Sequence, residues 1–126
     1  MRQKRWFAMF FILAVVLMTG GCRNPFGPDF DEISPSSGVY SFELEHIRFV
    51  YDTGSNLMTV TNLTSIKSTV RVVRYDDRGD DRRGVKFTLN GYNSSKSYHE
   101  EFGAGTEIWI QIWRDGVLTE GYVRLT

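Results

Sequence analysis

The sequence predicts an all-β protein: one small β-sandwich of about seven antiparallel strands, with a small β-barrel as the alternative. Three observations lead there. Residues 39–126 contain no proline; all three prolines of the chain, Pro25, Pro28 and Pro35, come earlier. Over the same stretch apolar and polar side chains alternate at the two-residue period of a half-buried strand, and no useful length of 3.6-residue period occurs. The alternating runs are separated by short clusters of Gly, Asn, Asp and Ser, which suit tight turns.

Taken in order, the alternation falls on Tyr40, Phe42 and Leu44 in "VYSFEL", then on Ile47, Phe49 and Tyr51 in "IRFVY". Met58 and Val60 mark "LMTVTN", and Val70 and Val72 mark "TVRVVRY". Val85, Phe87 and Leu89 carry "VKFTL"; Ile108, Ile110 and Ile112 carry "EIWIQIW"; "YVRL" closes the series. β-Branched and aromatic residues dominate these runs, as pleated, half-buried strands require. Between them lie "DTGSN", "DDRGDDRRG", Asn90-Gly91, "GAG" and Asp115-Gly116. The last is a two-residue hairpin signal that pairs "IWIQIW" with "VLTEGYVRL". A domain of this length buries about 60–65% of its unfolded surface, so modest stability is expected.

Ahead of the domain the chain changes character. "MRQKR" carries Arg2, Lys4 and Arg5, and the thirteen residues of "WFAMFFILAVVLM" are apolar without a break. A basic start, an apolar run of this length and small residues after it form the pattern of a secretory signal peptide. As a helix the run spans about 20 Å, short of a hydrocarbon core of ~30 Å. "LMTGGC" resembles the lipobox of bacterial lipoproteins, in which the cysteine becomes the lipidated first residue of the mature chain. Gly20 and Gly21 fit that pattern, whereas Thr19 stands where Leu, Val or Ile is usual. Thr19 and Gly21 would also suit an ordinary cleavage site, leaving Cys22 a free thiol. As the single cysteine, Cys22 has no disulfide partner. The resemblance implies a signal peptide at 1–21, acyl chains such as palmitate on Cys22, and attachment to a membrane of the bacterial cell envelope. Arg23 is not the Asp that favours inner-membrane retention in enteric bacteria, which turns the expectation toward the outer membrane.

Residues 22–38 read as a tether, because Pro, Gly and Ser favour extended chain that buries little. Phe26, Phe30 and Ile33 are the exceptions and are able to pin part of it to the domain at 39–126. The whole chain balances 15 basic against 15 acidic residues; removing 1–21 takes three basic ones and leaves −3. No basic face for nucleic acid is expected.

A second resemblance lies in "SYHEEFGAGTEIWIQIW". It is similar to the stretch of fibronectin type III domains that leads from one strand through a "PGT"-like turn into an alternating strand. Phe102, Gly105, Thr106 and Ile110 match, Ala104 replaces the proline and Ile108 the usual Tyr. It implies an immunoglobulin-like sandwich and nothing about activity.

Four groups of residues are candidates for chemistry or binding. Asp52-Thr53-Gly54-Ser55 looks like the catalytic turn of aspartic proteases, and a retroviral-type dimer would need one such Asp per subunit. The later apolar-apolar-Gly-Arg-Asp segment of that family finds Trp113 in place of the glycine before Arg114 and Asp115. A polar turn between two strands is therefore the expectation, and an enzyme is not. Arg78-Gly79-Asp80 looks like the integrin-binding tripeptide of adhesive proteins, on a loop tip. Asp76, Asp77, Asp80 and Asp81 offer carboxylates to calcium, but Arg78, Arg82 and Arg83 neutralise them and EF-hand spacing is absent, so neither metal nor cofactor is expected. Trp109 and Trp113 flank Gln111 opposite the three isoleucines, either buried under Phe26 or Phe30 or free to stack on a sugar or a partner protein. His46 and His99 have no zinc spacing. Asn62-Leu63-Thr64 and Asn93-Ser94-Ser95 fit glycosylation sequons. The expected role is a lipid-anchored envelope protein presenting a non-enzymatic binding or assembly surface to an envelope or surface protein, with an adhesin and a dimeric protease as alternatives.

Overall fold

The computed structural model describes residues 28–126, so the signal segment, Cys22 and Phe26 lie outside the described residues. Nine strands follow one another: β1 (Asp31–Ile33), β2 (Val39–Leu44), β3 (Ile47–Asp52), β4 (Leu57–Asn62), β5 (Ser68–Arg74), β6 (Val85–Leu89), β7 (Ser94–His99), β8 (Glu107–Arg114) and β9 (Val117–Leu125). A 3₁₀ turn, Tyr75–Asp77, follows β5. Two sheets result, one in the order β1-β9-β8-β5-β6 and the other β2-β3-β4-β7. The protein is thus a small all-β sandwich. Among the described strands every pairing is antiparallel except β1 with β9, where Asp31 stands opposite Val123 in a parallel register.

The core forms where the alternation placed it. Ile47, Phe49, Tyr51, Met58 and Val60 of one sheet are fully buried against Val70, Ile108, Ile110 and Leu125 of the other. Each side chain of this size removed from water contributes about 1.5–3 kcal/mol. Gly121 sits opposite Ile110 and leaves room for Leu44 of the facing sheet, which a Cβ there would meet. Asp115 and Gly116 both have positive φ (53° and 78°), as the tight turn joining β8 to β9 demands.

Nine strands exceed the expected seven. β7 reads "SSKSYH", an edge strand whose inward contribution is Tyr98 and whose hydroxyls pair across to β4, Thr59 with Ser97 at 2.9 Å and Thr61 with Ser95 at 2.7 Å. Such a strand carries no hydrophobic alternation to find. β1 lies inside the segment read as a tether: Ile33 packs against the core and its carbonyl accepts the Thr126 N–H at 2.9 Å. The sandwich therefore takes in residues 31–33. Glu100 and Glu101 lie in the loop after β7, where Arg74 pairs with the Glu100 carboxylate at 3.3 Å and bonds the Glu101 carbonyl.

The loops divide between two ends. One end gathers the turns at 45–46, 63–67, 90–93 and 115–116; the other gathers 53–56, 75–84 and 100–106. Asn62, fully buried, organises the first end. Its Nδ2 donates to the carbonyls of Ile66 (2.8 Å) and Asn90 (3.2 Å), and its Oδ1 accepts from the Thr64 N–H (3.0 Å) and hydroxyl (2.8 Å). Its amide nitrogen is occupied inside the protein, so the first sequon offers no glycan site in the folded chain.

Candidate functional site

Trp109 and Trp113 stand on β8, the central strand of the larger sheet, on the face away from the buried Ile108, Ile110 and Ile112. Both are half-buried. The β8–β9 register sets Tyr122 opposite Trp109, Glu120 opposite Gln111 and Leu118 opposite Trp113. Trp109 and Tyr122 stack with centroids 6.4 Å apart and planes 13° from parallel. Tyr122 meets Tyr75 edge-on at 6.0 Å and Phe30 at 5.9 Å, and Phe30 meets Tyr75 at 5.1 Å. Four aromatic rings thus form one cluster, in the edge-to-face and offset geometries that the ring quadrupole favours.

Cations lie over rings of this cluster and over Trp113. The Arg78 guanidinium lies 3.8 Å from the Tyr75 centroid, Arg124 lies 5.0 Å from Phe30, and the Lys86 ammonium lies 4.8 Å from Trp113. A polar row separates the two tryptophans. Arg71 Nη1 donates to Gln111 Oε1 and Gln111 Nε2 donates to Glu120 Oε2, each at 3.3 Å. Arg71 is itself buried, 5.7 Å from the Trp109 centroid, and its Nη2 donates to the carbonyls of Asp80 (3.1 Å) and Arg83 (3.3 Å). One arginine therefore fastens loop 75–84 to this face. The loop approaches β5 closely: a Cβ on Gly84, whose φ is +81°, would stand 2.6 Å from the Val72 carbonyl oxygen. Partial burial, with Glu120 close by, holds the Tyr122 phenol above its usual range.

The Arg78-Gly79-Asp80 tripeptide lies on that loop, with both charged ends engaged locally. Arg78 Nη1 donates to the Tyr75 carbonyl at 2.8 Å. The Asp80 carboxylate accepts from the Arg82 backbone N–H at 2.9 Å and from its Nε at 3.1 Å, with Arg83 Nε at 3.8 Å. These bonds, those from Arg82 first, hold Asp80 below the ordinary carboxylate range. Among the described residues no three His, Cys, Asp or Glu side chains come together in a metal-holding group.

Asp52 ends β3, and "DTGSN" forms the turn into β4. Asp52 is exposed and its Oδ1 accepts the Gly54 N–H at 2.8 Å, the bond of an Asx turn. The Thr53 N–H and hydroxyl both donate to the Gly38 carbonyl, at 3.0 and 2.8 Å. The turn residues are thus held by local backbone bonds.

The structure joins Trp109 to Arg78 through Tyr122 and Tyr75, sets Trp113 apart beside Lys86, and leaves Asp52 in the other sheet, outside this cluster. Arg71, Tyr75 and Tyr122 belong to the surface without having been marked by the sequence. For Tyr122 the signal was present: a two-residue turn at Asp115-Gly116 fixes its pairing with Trp109. No family model, curated protein or solved structure matches the chain.

Proposed function

We propose that the protein is a lipid-anchored component of the bacterial cell envelope whose sandwich presents the aromatic face of its five-stranded sheet to a protein partner, without catalysis. The anchor part of this reading rests on the sequence around Cys22. The binding part rests on one observation, the contrast between the outer faces of the two sheets. The four-stranded sheet presents hydroxyl pairs such as Thr59–Ser97 and Thr61–Ser95, an ordinary solvated surface. The five-stranded sheet presents half-buried Trp109, Trp113 and Tyr122, with Lys86 over the Trp113 ring and Arg78 over that of neighbouring Tyr75. Trp, Tyr and Arg are the residues that dominate protein interfaces, because they combine large apolar area with a polar handle.

The strand order supports an immunoglobulin-like reading of the fold. With β4 and β7 paired in one sheet, and β5, β8 and β9 adjacent in the other, the chain crosses between sheets in the order that such sandwiches use. The local bonding of Asp52 favours a turn over a catalytic carboxylate, and that of Asp80 favours a closed loop over an adhesive one.

Photo-crosslinking tests the binding part. A photoreactive residue at Trp113 in the membrane-bound protein should yield a discrete adduct that Lys86→Glu abolishes, while the same residue at Ser97 should yield none. Adducts of equal yield from both positions, or none from Trp113, would count against the face.

A further inference from the structure

We propose that the sandwich stands on the bilayer on the end formed by loops 63–67, 90–93 and 115–116, with Ile66, Tyr92, Val117 and Leu118 in contact with the lipid surface. This orientation rests on the anchored reading above and adds to it the part of the domain that meets the membrane. Ile66 (39% exposed), Tyr92 (82%), Val117 (63%) and Leu118 (44%) are the large hydrophobic residues most exposed to water among the described residues. They do not scatter. Ile66 and Tyr92 sit on adjoining loops, the Tyr92 N–H donating to the Thr64 carbonyl at 2.7 Å, and Val117 and Leu118 begin β9 at the same end. Apolar side chains clustered on one end of a small domain mark a contact surface, and a tyrosine among aliphatic residues suits an interface that is apolar on one side and wet on the other.

The chain itself indicates the occupant. Because β1 runs parallel to β9, the segment before Asp31 heads toward the start of β9, and Phe30 already lies against Tyr122. Cys22 lies nine positions before Asp31, a reach of about 30 Å fully extended. Val117 lies six residues before Val123, the partner of Asp31, or about 20 Å along β9. At full stretch the segment from Cys22 to Asp31 is longer, by about 10 Å, than the distance to the apolar end. That length of chain is enough to bring membrane and apolar end together. In this orientation the aromatic face stands upright, open to a partner from the side.

The test uses full-length lipidated protein in vesicles of phosphatidylethanolamine and phosphatidylglycerol. With Cys22 acylated, Val117→Cys, Tyr92→Cys and Ser55→Cys each offer one thiol for an environment-sensitive fluorophore. The expected result is a blue shift and quenching by acyl-brominated lipids at 117 and 92, and neither at 55. Quenching at 55 instead, or equal and weak quenching at all three, overturns the orientation. Intact mass of the same samples separates the two readings. A mass without acyl groups sinks the anchor and this orientation with it, whereas acylated protein that is unquenched at 117 and 92 sinks the orientation alone.

Discussion

Replacing Tyr51 by phenylalanine removes a hydroxyl that ties together the end of the sandwich bearing "DTGS". Tyr51 is fully buried; its O–H donates to the Glu100 carbonyl at 2.8 Å, with Asn56 Oδ1 at 3.0 Å, and accepts the Phe102 N–H at 2.9 Å. Phe102 is 4% exposed, so no water stands ready to replace the lost acceptor. A donated bond contributes about 1 kcal/mol net, and a buried N–H left without an acceptor costs about 1–3 kcal/mol. The Tyr51→Phe protein should therefore lose about 2–4 kcal/mol, a large share of the 5–15 kcal/mol typical of a domain, and should melt about 10 °C lower or more. Tyr98 supplies the opposite case. Its hydroxyl is buried with no hydrogen-bond partner, and burial pushes the phenol above its ordinary range. Tyr98→Phe removes an unsatisfied group and breaks no bond, so stability should hold or rise by about 1 kcal/mol. Urea unfolding of the three proteins, extrapolated linearly to water, measures both differences. Equal losses in the two variants, or a loss below about 0.5 kcal/mol in Tyr51→Phe, would refute the reasoning from partner satisfaction.

Asn62→Ala should cost about 2–4 kcal/mol, from the bonds it makes to Ile66, Asn90 and Thr64 at about 1 kcal/mol each and from the small cavity left behind; chemical unfolding measures it, and a loss under about 1 kcal/mol would contradict the buried network. Gly91→Ala places a Cβ 2.5 Å from the Ser65 backbone and should destabilise by about 1–3 kcal/mol, whereas at Gly105, with open space around it but φ at +88°, the cost should be about 1 kcal/mol. The folded-state pKa of Asp80 is lowered, so its contribution to loop order is present above the ordinary carboxylate value of about 3.9 and is lost as pH falls through the lower folded value. Amide exchange at Arg82 should accordingly quicken in acid beyond its intrinsic rate in the native protein and show no such transition in Asp80→Asn; the same transition in both would contradict the assignment.

Much of the sandwich was legible because its central strands bury one face and expose the other, which writes a two-residue period into the sequence. Tyr51, Phe49 and Ile47 could be assigned to a core without coordinates. β7 could not, since an edge strand of Ser, Lys and Ser is held by backbone pairing and by hydroxyl contacts with Thr59 and Thr61 that leave no apolar pattern. β1 was hidden for a related reason: three residues placed by Ile33 and by a parallel register to β9 look like part of a Pro-rich spacer. The surface was half legible. Trp109 and Trp113 follow from strand alternation, and Tyr122 from the hairpin turn. Arg71 and Tyr75 depend on how loop 75–84 folds back over β5, a long-range event that local sequence does not encode. The exposed apolar end became visible through the register of β1 and the meeting of three separate loops.

The anchor at Cys22 is the claim on which the proposed location and orientation both depend, and intact mass spectrometry of the protein extracted from native membranes tests it most directly. The account predicts a chain that begins at Cys22 and carries the added mass of a diacylglyceryl group, with or without a further acyl chain. A chain beginning at Cys22 without lipid, or one that retains residues 1–21, would contradict it.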